Sequence, residues 1–126
     1  MIRLDFKGNK PIYEQIIEQM KLHVVKGYLK PGDAIPSVRK LALELSITPG
    51  TVAKAYQELE RQNIIETIRG KGTFIAGELV LKPDETKLIE VKKRLQTDLM
   101  ELKMMGYDKN GIVELVKSIY EEMIVC

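Results

Sequence analysis

The sequence predicts a mainly α-helical fold with one small β-hairpin: a head over residues 1–77, a linker over 78–83 and a two-helix tail over 84–126. Three observations predict it. Apolar residues recur at spacings of three and four in five separate stretches, the signature of amphipathic helices. One pair of β-rich runs, Ile64–Ile68 and Thr73–Ala76, flanks a short basic tip. From Gly77 to Pro83 neither period holds, so this segment reads as a connection between head and tail.

Taken in order, residues 1–10 form an N-terminal arm. Ile2-Arg3-Leu4-Asp5-Phe6 alternates apolar and polar, as a short strand or extended segment does, and Gly8-Asn9-Lys10 is a turn. Pro11 suits the first position of a helix, where its missing N–H costs nothing. Ile12, Ile16, Met20 and Val24 give residues 11–26 one buried face, and Gly27 is a stop. Lys30-Pro31-Gly32-Asp33 places Pro and Gly as a type II turn requires. Ser37 then caps a second helix whose buried face is Val38, Leu41, Ala42 and Leu45. Ser46-Ile47 is a tight break. Thr48 caps a third helix, Pro49 to Arg61, with Val52, Ala55, Tyr56 and Leu59 turned inward. After the hairpin and linker, Asp84 opens a long helix striped with Leu88, Val91, Leu95, Leu99 and Leu102, which Gly106 ends. Asp108 caps a last helix carrying Ile112, Leu115, Val116, Ile119 and Met123.

Composition narrows the functional classes. The chain has 126 residues, 44% of them hydrophobic and 30% charged, enough for a packed core under a solvated surface. Its one Cys, Cys126, excludes an intrachain disulfide and a Cys-based zinc site; its one His, His23, excludes a multi-histidine metal centre and reads as a packing residue. No metal or cofactor is expected. No apolar run approaches the ~20 residues that span a bilayer, and Met1-Ile2-Arg3-Leu4-Asp5 carries no signal-peptide core, so a cytoplasmic location without membrane contact is expected. Net charge is +2, unevenly spread: residues 1–77 hold twelve Lys and Arg against eight Asp and Glu, and residues 78–126 hold eight against ten. The basic excess of the head suggests a polyanionic partner. There is no nucleophile beside a base, no apolar pocket with paired carboxylates and no phosphate loop leading into a helix, so no enzyme is expected.

The second and third helices, separated by a tight break, match a helix-turn-helix. Ala42 is small where the two would cross, and Val52 and Ala55 face it. A helical hairpin within a core would share this pattern. The hairpin that follows adds the distinguishing feature, since Arg69-Gly70-Lys71-Gly72 puts two cations and two glycines at a tip that suits phosphates or a minor groove. Together they form a winged helix. Arg39 lies off its helix's apolar face. Ser37, Thr48 and Thr51 offer hydroxyls, the third helix's N-terminus offers amides to a phosphate, and Lys54 and Gln57 point away from the core toward a major groove.

Residues 11–76 resemble the N-terminal domain of the GntR family of bacterial transcription regulators. The resemblance lies in Pro11-Ile12-Tyr13-Glu14-Gln15-Ile16, Gly27-Tyr28-Leu29-Lys30-Pro31-Gly32-Asp33, Pro36-Ser37-Val38-Arg39-Lys40-Leu41-Ala42, residues 51–60 (TVAKAYQELE) and Gly70-Lys71-Gly72-Thr73-Phe74. The short tail resembles that of the YtrA subfamily, in which two helices serve dimerisation. The resemblance implies DNA contacts at Arg39, Thr48, Gly50, Thr51, Lys54, Arg69, Gly70 and Gly72. Where many members carry Ser/Thr-Arg at the start of the recognition helix, this chain has Thr48-Pro49.

The expected protein is thus a DNA-binding transcription regulator, a repressor acting on a palindromic double-stranded operator as a homodimer. The stripe Leu88, Val91, Leu95, Leu99 and Leu102, with Leu115 and Ile119, is more apolar helix than a two-helix tail can hide, so a second copy would cover it. A winged helix that docks onto a protein, or one that binds DNA without sequence preference, remains the competing reading. A small-molecule effector, if one acts, is not named by the sequence.

Overall fold

In the computed structural model, which describes residues 2–124, the elements run α1 (Ile12–Val25), β1 (Ala34–Ile35), α2 (Val38–Leu45), α3 (Pro49–Arg61), β2 (Ile65–Ile68), β3 (Gly72–Ile75), α4 (Glu85–Met104) and α5 (Lys109–Ile124). Cys126 lies outside the described residues. The chain divides into two compact units, one reaching to Leu79 and one starting at Val80. Leu79 packs on the core of the first unit, so the start of the segment read as a linker belongs to the head.

The head is built around α3. Val52, Ala55, Tyr56 and Leu59 line one face of it and are almost wholly shielded from solvent. They meet Ile16 and Met20 of α1, Leu41 and Ala42 of α2, and Ile65 and Ile75 of the sheet in a single cluster. Each element contributes the stripe that its spacing predicts.

Side chains start three of the helices. Ser37 Oγ accepts from the Lys40 amide at 3.1 Å, Asp84 Oδ1 from Lys87 at 3.1 Å and Asp108 Oδ1 from Gly111 at 2.8 Å. Two expectations need correction. Pro11 sits just before α1, at its N-cap, and not at the first helical position. Thr48 does precede α3, but its hydroxyl makes no capping bond; it pairs with the Thr51 hydroxyl at 3.0 Å.

Four helices end alike. A residue of positive φ follows each last turn: Gly27, Ser46, Asn63 and Gly106, at +80°, +56°, +59° and +94°. The next N–H then reaches back five residues: Tyr28 to the His23 carbonyl at 2.9 Å, Ile47 to Ala42 at 3.0 Å, Ile64 to Leu59 at 2.9 Å and Tyr107 to Leu102 at 3.1 Å. This is the Schellman arrangement, which pairs carbonyls that would otherwise be left open. Ile47 and Ile64, the residues just past α2 and α3, pack onto the core as they reverse the chain.

The hairpin gains a third strand. The sheet order is β1-β3-β2, antiparallel throughout, with Ala34 opposite Phe74 and Ile65 opposite Ile75. The turn before β1 closes by the Asp33 amide on the Lys30 carbonyl at 2.9 Å, with Gly32 at φ +88°, as a type II turn requires.

The N-terminal arm is extended but joins no strand. Two side-chain amides of α1 hold it. Gln15 accepts from the Asp5 amide at 2.8 Å and donates to the Asp5 and Lys10 carbonyls at 2.9 Å each. Gln19 accepts from the Arg3 amide at 2.7 Å and donates to the Arg3 carbonyl. Ile2 is thereby buried in the core. One turn further along α1, His23 donates through Nδ1 to the Gln19 carbonyl at 2.6 Å and its ring meets that of Tyr28, which is a packing role.

In the second unit no described residue of α4 or α5 is buried. The two helices approach each other along no extended stretch of backbone.

Tyr56 ties α3 to the entry of α2, its hydroxyl donating to the Pro36 carbonyl at 2.7 Å. Burial first, and the Glu44 carboxylate second, push its phenol up to about 12. The fold therefore favours the protonated phenol, so this contribution is intact below the ordinary value of 10.0 and is lost as pH rises from there toward 12. Tyr56→Phe is expected to lose about 1–2 kcal/mol at neutral pH, because a part-buried carbonyl loses its donor. The variant should also lack the part of the alkaline decline that this phenol causes. Urea unfolding of both proteins from pH 7 to 11.5 checks both effects.

Candidate nucleic-acid interface

The start of α2, the free side of α3 and the wing tip carry the residues singled out in the sequence. Ser37, Arg39, Thr48, Gly50, Lys54, Arg69, Gly70, Lys71 and Gly72 are exposed, and Thr51 is half-exposed. Ser37 is partly committed, since its oxygen caps α2, while its hydroxyl proton remains available. Gly50 stands at the open end of α3, with nothing within 4 Å of the place a Cβ would take. In this first turn Pro49 has no N–H and the Thr51 amide bonds the Thr48 carbonyl at 3.2 Å, while the Gly50 amide and the positive end of the helix dipole favour a phosphate oxygen.

The cations differ in their engagement. Arg39, Arg69 and Lys71 form no ion pair among the described residues. Arg61, further along α3, is bound to Glu58 through Nε at 2.9 Å. That hydrogen bond, joined by one from Gln62 at 2.8 Å, holds the Glu58 carboxyl down at about 2. Lys54 is not where spacing alone would leave it. Its Nζ lies 3.9 Å from the centroid of the Tyr13 ring on α1. Tyr13, Lys54, Gln57 and Glu58 line an open cleft of about 590 Å³ between α1 and α3.

Tyr13 is the residue that reading by spacing misses as part of this surface. It is 41 positions from Lys54, and only the packing of α1 on α3 brings them together.

The wing differs slightly from expectation. Gly72 belongs to β3, opposite Ile68, so the tip is Arg69-Gly70-Lys71 and not four residues. The Lys71 amide closes the turn on the Ile68 carbonyl at 2.9 Å. Gly70 has φ +81° and Gly72 φ +122°, conformations that side-chain-bearing residues rarely adopt. Arg69 and Lys71, the basic residues beside these glycines, are both exposed.

No three His, Cys, Asp or Glu side chains among the described residues gather as a metal site, and no described helix is long and apolar enough to cross a membrane.

A helix-turn-helix whose second helix keeps a polar face free, followed by a sheet with a cationic tip, defines a winged-helix DNA-binding protein. Residues 12–75 match the family described as bacterial regulatory proteins, gntR family. The chain is 44% identical over 119 residues to the HTH-type transcriptional repressor YtrA of Bacillus subtilis (strain 168), covering 94% of this chain and 92% of that protein. It also resembles the crystal structure of a transcriptional antiterminator from Listeria monocytogenes EGD-e, with 39% identity, a TM-score of 0.91 and coverage of 100% and 94%. The DNA-binding domain of AraR, solved in complex with operator ORX1, matches 60% of this chain and 96% of its own at 26% identity and a TM-score of 0.54. The chain therefore belongs to the gntR family of DNA-binding transcription regulators, in its YtrA subfamily.

A Cβ on Gly72 would meet only the Phe74 ring, at 3.9 Å, an ordinary contact, so a substitution there acts through backbone strain. Gly72→Val is expected to lower stability by about 1–3 kcal/mol. Lys71→Ala, at the exposed tip, should stay within about 0.5 kcal/mol of the parent. Thermal unfolding of the two variants distinguishes them.

Proposed function

We propose that the protein is a cytoplasmic repressor that binds a palindromic operator as a homodimer. The observation that carries this reading is the contrast between the two units. The head closes its own core and leaves the polar side of α3 and the wing free, whereas α4 and α5 bury nothing. Leu88, Leu95, Leu99 and Ile119 are each between 40% and 51% exposed, and Val91, Leu102 and Leu115 are half-exposed. A second copy laid along this stripe would remove it from water.

One winged head covers a short half-site. Two related by a two-fold axis would set their recognition helices in successive major grooves, ~34–36 Å apart, and so select a palindrome. In this reading the first turn of α3, with Thr48, Gly50 and Thr51, and the outward Arg39 face the major groove, and Lys54 lies on the same free side of α3. Ser37, Arg69, Gly70, Lys71 and Gly72 meet the backbone or minor groove. The relatives are transcription regulators, and no catalytic step is assigned to this chain.

Selection of bound sequences from a random duplex library, followed by salt titration on the selected operator and a random duplex, tests the reading. Operator affinity should exceed random affinity ~10³-fold or more, and both should fall steeply with salt. Equal affinity at physiological salt would rule out a sequence-specific regulator. Arg39→Ala should lose about 1–3 kcal/mol of operator binding with an unchanged melting temperature, since the residue is exposed and in no ion pair among the described residues.

The tail is tested by sedimentation. Leu95→Asp places a charge in the apolar seam and should shift the protein to monomer, as should ending the chain after Leu79. Each should weaken operator binding ~10²-fold or more, because the second half-site contact is no longer linked to the first. A shortened chain that remains dimeric would move the interface into the head.

A further inference from the structure

Lys54 and Glu58 stand i, i+4 on α3, a spacing at which lysine and glutamate side chains come within reach of each other. Here the Glu58 carboxylate is taken by Arg61 and Gln62. Lys54 makes no ion pair among the described residues, and its ammonium lies over the Tyr13 ring instead. Tyr13 is on the first turn of α1, half-buried and packed against the core. The ring is thus a fixed platform and the lysine the mobile partner. An aromatic face attracts a cation without taking up its N–H groups as a carboxylate does, so the exposed Lys54 ammonium keeps donors for another partner.

We infer that Tyr13 is a positioning residue for DNA binding: its ring draws Lys54 off α3 toward α1 and sets the ammonium to clamp a backbone phosphate instead of reading a base edge. This rests on the reading of α3 as the recognition helix. A helix about 10–12 Å across fills a major groove about 12 Å wide. The helix packed on its flank must then stand over the groove's rim, where the phosphates are. A side chain pulled toward that flank is pulled toward the rim. The ammonium, a compact point charge, suits a phosphate better than it suits the paired acceptors of a base. Holding the lysine in advance also reduces the rotamer freedom lost on binding.

The test compares full-length wild type, Lys54→Ala, Tyr13→Phe, Tyr13→Leu and Tyr13→Leu with Lys54→Ala on the selected operator, its single-base variants and a random duplex, across salt. Lys54→Ala should weaken every duplex by one factor and lower the slope of log affinity on log salt by about 1. Tyr13→Phe keeps the ring and should match wild type. Tyr13→Leu should weaken all duplexes about two- to fivefold, the range of an exposed cation–π contact, and add nothing once Lys54 is Ala. In the free protein, NMR should show the Lys54 side-chain protons shifted upfield by the ring in wild type and Tyr13→Phe. Absence of that shift in wild type overturns the proposal whatever the variants do, including a Tyr13→Leu that fails to fold. So does a Tyr13→Leu effect that persists beside Lys54→Ala, or a Lys54→Ala that relaxes preference at one base pair. If Lys54→Ala changes neither affinity nor slope while Arg39→Ala does, the positioning inference fails and the DNA-binding reading of the head stands.

Discussion

Helix α3 has to satisfy two surroundings at once, and the rest of the head is arranged around that demand. Its inner face is the most deeply buried surface of the unit, closed by α1, α2 and the sheet. Its outer face must stay free of carbonyl, carboxylate and apolar neighbours if it is to meet DNA. The helix is only thirteen residues long, so the two faces cannot be tuned independently. A change in how α1 packs moves Tyr13, and Lys54 with it. The Tyr56–Pro36 bond works on the same axis, fixing the angle of α3 to the start of α2, the segment that presents Arg39.

Much of this was legible in the chain. Helical stripes, the caps at Ser37 and Asp108, and the hairpin follow from local rules, because each depends on residues within one or two turns. What escaped depends on longer reach or on backbone angles that several residue types can adopt. Strand β1 is two residues long and cannot display an alternation. Gly27 and Gly106 announce their helix ends, whereas Ser46 and Asn63 do the same work with side chains that occur anywhere. Thr48 has the right chemistry for a cap, but its hydroxyl finds Thr51 first. The interface residues were read from outward placement and family resemblance. The cation–π partner of Lys54 was not, since residue 13 carries no local sign of meeting residue 54.

The two units pose opposite problems of solvation. In the head every helical stripe finds an inner counterpart, and the exposed large apolar side chains there, such as Leu43 and Phe6, are scattered. Along α4 and α5 the apolar residues are regular and uncovered. An isolated helix of twenty residues draws little stability from propensity alone, so α4 gains from whatever lies along its stripe. The good caps at Asp84 and Asp108 and the Gly106 reversal define the ends of these helices without burying anything.

The arm that precedes α1 illustrates a match of two repeats. Gln15 and Gln19 are four residues apart on a helix, a rise of about 6.0 Å. Arg3 and Asp5, the residues they hold, are two apart on an extended chain, about 6.6 Å. The near-equality lets two side-chain amides act as successive rungs of a ladder, each answering both the N–H and the C=O of its partner residue. A helix thus stands in for a neighbouring strand. Because the extended repeat is two, a slip of the arm by one residue would turn both pairs of polar groups away from the glutamines and lift Ile2 out of the core. Residues 2–5 are therefore held in one register, like a tooth in a rack, although they belong to no sheet.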